Sequence, residues 1–159
     1  MRWITRARPK IDRIACPWLI QRFIDRDAEF LFVPPEEVLP RAAALGAIPY
    51  DVEGVELSHE GPQCSFDALL LKYGLDDPAL HVLAPIIRGA DTAHFELAPE
   101  AAGLLAISLG LSRNYSDDLE QLAHGLVIYD ALYAWARYAR EERHTWNPQR
   151  EPQPVPVAV

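Results

Sequence analysis

Hydrophobic residues along this chain fall into short extended runs near its start and into helical repeats elsewhere. Trp3-Ile4-Thr5 and Glu29-Phe30-Leu31-Phe32-Val33 are β-branched and aromatic runs bounded by turn or charged residues, which predicts two strands. Between them Ile11, Ile14, Ala15, Trp18, Leu19 and Phe23 recur at helical spacing, so this segment turns an apolar stripe inward and leaves Arg13, Gln21 and Arg22 off it. Pro17 removes a backbone donor there, so the helix is expected to begin late, near Ala15, or to kink. A helix over 36–45, stopped by Gly46, and a strand over 48–52 are expected next.

Ser65 is a suitable N-cap for a helix over 66–73 that ends at Gly74, and Asp77-Pro78 opens another with a cap and an N1 proline. That helix reaches Gly89 or Ala90, with a bend at Pro85. Pro99 begins one running to about Gly110, and Ser116-Asp117-Asp118 opens the last and longest. From Leu122 to Ala136 this last helix reads LAHGLVIYDALYAWA, apolar nearly all round, and is expected to be the central element of the domain. The tail from Asn147, with Pro148, Pro152, Pro154 and Pro156, is expected to be disordered. The pattern as a whole predicts an α+β, predominantly helical chain. Residues 1–145 form a single domain with a small sheet from the N-terminal half and a central C-terminal helix, followed by a Pro-rich tail over 146–159.

Composition agrees with one domain, since 159 residues that are half apolar suffice for one packed core. A net charge of -8 repels phosphate backbones, which argues against nucleic-acid binding by this chain alone. The charge is uneven. Residues 1–26 hold seven cations against two anions, a local balance of +5 that leaves -13 for the remainder. Such a start is either a solvated basic face or a site for a small oxyanion. Two cysteines without metal-knuckle spacing, no apolar h-region after the basic start and no run of eighteen apolar residues point to a cytoplasmic chain off the membrane with both thiols free.

Three groups of residues carry candidate chemistry. His124 and Asp130 sit in the apolar last helix, about 120 degrees apart around its axis, and a buried Asp130 should meet an Arg, a hydroxyl or a metal. The stretch Ser58-His59-Glu60-Gly61-Pro62-Gln63-Cys64-Ser65-Phe66-Asp67 is the most site-like. Gly61 and Pro62 force a turn that brings His59 back toward Cys64 and Asp67, where a helix N-terminus would favour an anion or a Cys64 thiolate. His59, Asp67, Asp91 and His124 have the residue types for zinc, iron or manganese, although they come from four separate segments. Cys16 and Cys64 are the candidate redox or catalytic pair.

The residues also carry a resemblance. Thr5-Arg6, Arg8 through Ile20, Arg22-Phe23-Ile24-Asp25, Phe30 through Pro34, Ser58-His59-Glu60-Gly61, Cys64-Ser65-Phe66-Asp67, Gly74 through Leu80 and Tyr129 through Tyr133 resemble the C-terminal domain of chromate resistance protein B, over the chain to about Tyr138. The resemblance implies a chromate-resistance role in a stand-alone form of the sensing or resistance domain. Chromate is a tetrahedral dianion, and guanidinium groups bind such ions through paired charge-assisted hydrogen bonds. Arg6, Arg8, Lys10 and Arg13 are the candidate oxyanion-binding residues, with Arg22 in reserve. Three functions follow: a module that senses or binds chromate or a related oxyanion, with or without a divalent metal; a metal- or thiol-dependent enzyme of chromate reduction or detoxification; and a non-catalytic interaction module. A homo-oligomer is compatible with each.

Overall fold

The computed structural model describes residues 1–144 and Val155; apart from Val155 the Pro-rich tail lies outside the described residues. Strand β1 (Arg2–Arg6) leads through helix α1 (Asp12–Phe23) to β2 (Glu29–Val33), and through α2 (Val38–Leu45) to β3 (Ile48–Pro49). The three strands form one parallel sheet in the order β2-β1-β3, with Trp3 opposite both Phe30 and Ile48. Parallel strands need crossover connections, and α1 and α2 supply them. Central β1 is buried on both faces, as its consecutive Trp3, Ile4 and Thr5 require. Because side chains alternate, Trp3 joins the main core with α1, whereas Ile4 joins a smaller one with Val33, Val38 and Ala42 under α2. The last strand is shorter than expected. Pro49 lacks an N–H, and after Tyr50 donates to the Ile4 carbonyl (3.1 Å) the chain turns away at Asp51, whose φ is 49°.

Helices α3 (Ser65–Tyr73), α4 (Pro78–Thr92), α5 (Ala101–Asn114) and α6 (Asp118–Ala134), the last continued by a π-turn over Trp135–Ala139, complete the predominantly helical α+β domain. Asp77 caps α4 by accepting from the Ala79 N–H (2.8 Å), with Pro78 in the first turn. Asp117 caps α6 through the Glu120 N–H (2.8 Å).

Two expectations about the helices are revised. Of the two alternatives at Pro17 the late start is not taken: α1 starts at Asp12 rather than near Ala15 and includes Pro17. Its start is held by tertiary bonds: Ile11, at φ 37° and ψ -97°, donates its N–H to Ser108 Oγ (3.2 Å) of α5, and its carbonyl accepts from the Tyr129 hydroxyl (3.1 Å) of α6. A positive φ at a β-branched residue is strained, and these neighbours over-determine it.

The most enclosed helix is also α1, which buries Asp12 and every residue from Ile14 to Ile20, whereas α6 keeps an outer side on which Val127 is 65% exposed. Helix α6 lies directly against α1, because a Cβ on Gly125 would stand only 2.5 Å from Ile14 Cγ2. Asp130 ties the two together. Its Oδ1 accepts from Trp18 Nε1 (2.7 Å) and Arg22 Nε (3.0 Å), and its Oδ2 from Arg22 Nη2 (2.9 Å).

Candidate functional site

Four polar side chains from four separate segments meet beyond the carboxyl end of the sheet, the edge of a parallel sheet where connecting loops leave room for a ligand. Asp12 opens α1, Asp51 follows β3, His59 sits in the following loop and Asp91 lies in the last turn of α4. His59 Nε2 is 3.0 Å from Asp91 Oδ2, 3.4 Å from Asp51 Oδ1 and 3.6 Å from Asp12 Oδ2. Gly61 makes this approach feasible. At φ 58° it closes a tight turn in which Glu60 and Gln63 exchange both backbone hydrogen bonds (3.1 and 3.0 Å), so His59 is turned back onto the domain.

The carboxylates are fixed in different ways. Asp12, with a side chain 1% exposed, accepts from the Ser65 N–H at 2.6 Å, while its Oδ1 is buried without a hydrogen-bond partner of normal geometry. Asp51 Oδ2 takes Arg6 Nη2 (2.8 Å) and Arg13 Nε (3.3 Å), and its Oδ1 takes the Ser65 hydroxyl (3.2 Å). Arg13 is itself oriented by the Arg6 and Ala7 carbonyls, to which its Nη1 donates (3.2 and 2.9 Å). Burial, reinforced by the charges of Asp91 and Asp51, pushes the Asp12 carboxyl well above the usual carboxylate range. Burial and then Asp51 push Asp91 up as well, against the pull of His59. Burial lowers the Arg13 guanidinium, and Asp51 opposes that.

Of the residues singled out from the sequence, Arg6, Arg13, His59 and Asp91 come together here. The others stand elsewhere. Arg8 closes the end of α5, donating Nη1 to the Tyr115 and Ser116 carbonyls (3.0 and 2.9 Å) and pairing with Asp118. Lys10 is exposed at a separate cavity shared with Arg8 and Arg113. Arg22 is committed to Asp130. Asp67 accepts from the Cys64 N–H (3.0 Å) and pairs with Arg88 (3.1 Å), and exposed His124 stacks on Tyr115 with ring centroids 4.3 Å apart.

The start of α3 is not the open anion cradle that the sequence pointed to. Cys64, not Ser65, is the N-cap; the Cys64 N–H is taken by Asp67 and the Ser65 N–H by Asp12. Cys16 and Cys64 are both free and fully buried. Burial pushes both thiols up, and the Asp12 charge pushes them further, which disfavours a thiolate in either.

Sequence reading missed Asp12 and Asp51. Asp12 looks like an ordinary acid near a helix start, and Asp51 like a polar position within the strand expected over 48–52. For Asp12 the signal was topological, because it follows the carboxyl end of the first predicted strand, where α/β sheets place ligands; Asp51 falls inside the predicted 48–52 strand and leaves it only because β3 ends at Pro49.

A cavity of about 290 Å³, lined by Arg6, Asp51, Ser58, His59 and the 52–55 turn, leads solvent to this cluster. A larger one, about 580 Å³ between α3 and α4, is lined by Leu70, Leu71, Leu75 and Pro85 with Asp67 and Arg88. It also holds Asp76 and His81, but its acids are paired one to one, Asp67 with Arg88 (3.1 Å) and Asp76 with His81 (2.8 Å), whereas three carboxylates share one His59 nitrogen at the smaller cavity, which is therefore the candidate site.

Residues 3–136 match the family model for the ChrB C-terminal domain. Over 132 residues the chain is 36% identical to Protein ChrB of Cupriavidus metallidurans, an alignment that takes in 82% of this chain and 39% of that protein. The chain therefore spans about two fifths of the length of that relative. No solved structure matches it. Since the family match extends from β1 into the π-turn and takes in every element that builds the His59 cluster, this chain belongs to the ChrB C-terminal domain family.

Proposed function

We propose that this chain is a binding domain of chromate resistance, which holds a small tetrahedral oxyanion in the cavity beside Arg6. The observation that supports this best is the meeting of the basic start with the histidine loop. Arg6 from β1 and His59 from the loop before α3 line one solvent-connected cavity with Asp51, and Arg13 from α1 joins them through Asp51 (3.3 Å). Arg6 is the group an anion meets first, being 38% exposed where Arg13 is 18% exposed. Its planar fork suits a tetrahedral dianion. Family membership supplies the chromate context. Burial of both thiols favours binding over thiol-based reduction, and free cysteines fit a reducing, cytoplasmic setting. Asp12 and Asp91 behind the cavity set a condition: the anion needs positive charge beyond that of the two guanidinium groups.

Calorimetry and thermal melting with chromate, and with sulfate as its redox-inert analogue, test the reading. Saturable binding with a raised melting temperature is expected, lost in Arg6→Gln and retained in Arg8→Gln, with circular dichroism confirming that both variants fold. An unchanged melting temperature at millimolar chromate, with and without divalent cations, would overturn it, because a ligand that prefers the folded state must raise it.

A further inference from the structure

We infer that Asp12, His59 and Asp91 form a binding site for one divalent first-row transition-metal ion at the inner end of the Arg6 cavity. Three observations lead there independently of the oxyanion reading.

The first is proton accounting. Three carboxylate oxygens stand within 3.6 Å of His59 Nε2, yet that nitrogen carries at most one hydrogen and can satisfy one of them. The cluster is short of positive charge. Asp51 is served by Arg6, Arg13 and the Ser65 hydroxyl, so the deficit falls on Asp12 and Asp91.

The second is the free oxygen of Asp12. Its Oδ2 is anchored by the Ser65 N–H, and Oδ1 of the same fully buried carboxylate has no hydrogen-bond partner of normal geometry, while the side-chain donor that acts on the group is the weak Cys64 thiol. A buried acceptor left unmet costs on the order of 1–3 kcal/mol, more when charged, and a metal ion answers it. Fold strain at the adjacent Ile11, held by Ser108 and Tyr129, keeps Asp12 in this place.

The third is spacing. Metal bonds to nitrogen and oxygen run at about 2.1 Å, so neighbouring ligand atoms stand roughly 3.0 Å apart in an octahedron and 3.4 Å in a tetrahedron. His59 Nε2 lies 3.0 Å from Asp91 Oδ2 and 3.6 Å from Asp12 Oδ2, and the donor atoms of the triad all fall within 4.8 Å of one another. One imidazole and two carboxylates suit Mn, Fe, Co or Zn better than calcium. Three protein ligands leave coordination positions to be filled by water or substrate, as in catalytic metal sites, and His59 links the triad to the Arg6 cavity that it lines.

This deepens the oxyanion reading and rests on it only for what fills the open positions. Asp12, Asp51 and Asp91 outnumber the guanidinium groups of Arg6 and Arg13, and Glu53 adds a further acid at the cavity, so a divalent ion offsets the negative charge that an incoming anion would meet. A tetrahedral dianion is then held between the metal and Arg6. No bond in the anion is broken.

The test uses untagged full-length chain stripped with a chelator. Mn²⁺, Co²⁺ and Zn²⁺ are titrated alone by calorimetry, and the visible absorption of the Co²⁺ form is recorded. One equivalent should bind saturably, and His59→Ala and Asp91→Asn should each weaken binding by at least about tenfold and alter the Co²⁺ spectrum. His59 is 40% exposed, so its replacement does not threaten folding. Absence of saturable binding up to millimolar metal, or affinity and spectrum untouched in both variants, would overturn the site. Chromate is then added to the stripped and loaded forms. Metal binding without any chromate response leaves the site standing and removes the oxyanion reading; chromate binding in a protein that takes up no metal does the reverse.

Discussion

Replacing Asp12 with Asn removes one charge from the His59 cluster while preserving side-chain size and an acceptor for the Ser65 N–H. Carboxylate oxygens of Asp12 and Asp91 lie within 4.8 Å of one another, and like unit charges at that distance repel by about 3 kcal/mol at an effective dielectric of 20. Lost attraction to Arg13 and Arg6 offsets part of the relief, leaving a net gain on the order of 1 kcal/mol, or about 2–4 °C in melting temperature. The gain should depend on pH. Burial raises the folded Asp12 carboxyl above its unfolded value near 4, so the wild-type group is least costly below that value and stability is lost as pH rises through the folded one. Asn escapes this loss. Scanning calorimetry in chelator should therefore show Asp12→Asn melting above wild type at neutral pH, with the difference shrinking as pH falls toward 4.5. Saturating Zn²⁺ or Mn²⁺ should reverse the order, since only wild type gains from the ligand. A variant that melts lower than wild type in chelator at neutral pH, or by the same margin at both pH values, would refute the charge argument.

Three further outcomes follow from the packing. Asp130→Ala strips Trp18 Nε1 and Arg22 of their acceptor and should cost about 2 kcal/mol in urea unfolding, while leaving metal titration unchanged because the α1–α6 tie is separate from the site. Gly125→Ala forces a Cβ to within 2.5 Å of Ile14 Cγ2 and should destabilise by about 1–3 kcal/mol, read by thermal melting. Cys16 and Cys64 should resist iodoacetamide in the native protein and both react once it is unfolded in guanidinium, as mass spectrometry will show; rapid native alkylation of either would contradict their burial.

What the sequence determined by itself is whatever depends on neighbours along the chain. The run Glu29 to Val33 is a strand over those residues, Gly46 and Gly74 end helices in the left-handed conformation, and Asp77 and Asp117 cap the helices that follow them. Those signals act within a turn or two of backbone, and with the apolar periodicity they are enough to give a mainly helical α+β domain with a small N-terminal sheet. Where the outcome depended on distant partners, local reasoning stopped short. The start of α1 follows from bonds that Ser108 and Tyr129 make to Ile11, about a hundred residues away, not from the position of Pro17. Apolar residues around all of α6 read as a central helix, but burial is a property of the packed whole, and α1 takes the more enclosed place.

The same division runs through the site. The basic start and the His59 loop were visible because their residue types are unusual in their segments. That Arg8, Arg22, Asp67 and His124 are occupied elsewhere, and that Asp12 and Asp51 stand beside His59, was decided by how the β1, β3, α3 and α4 segments converge. Charge is legible residue by residue, whereas its compensation depends on distances of a few ångströms between segments far apart in sequence, and only the tertiary structure sets those.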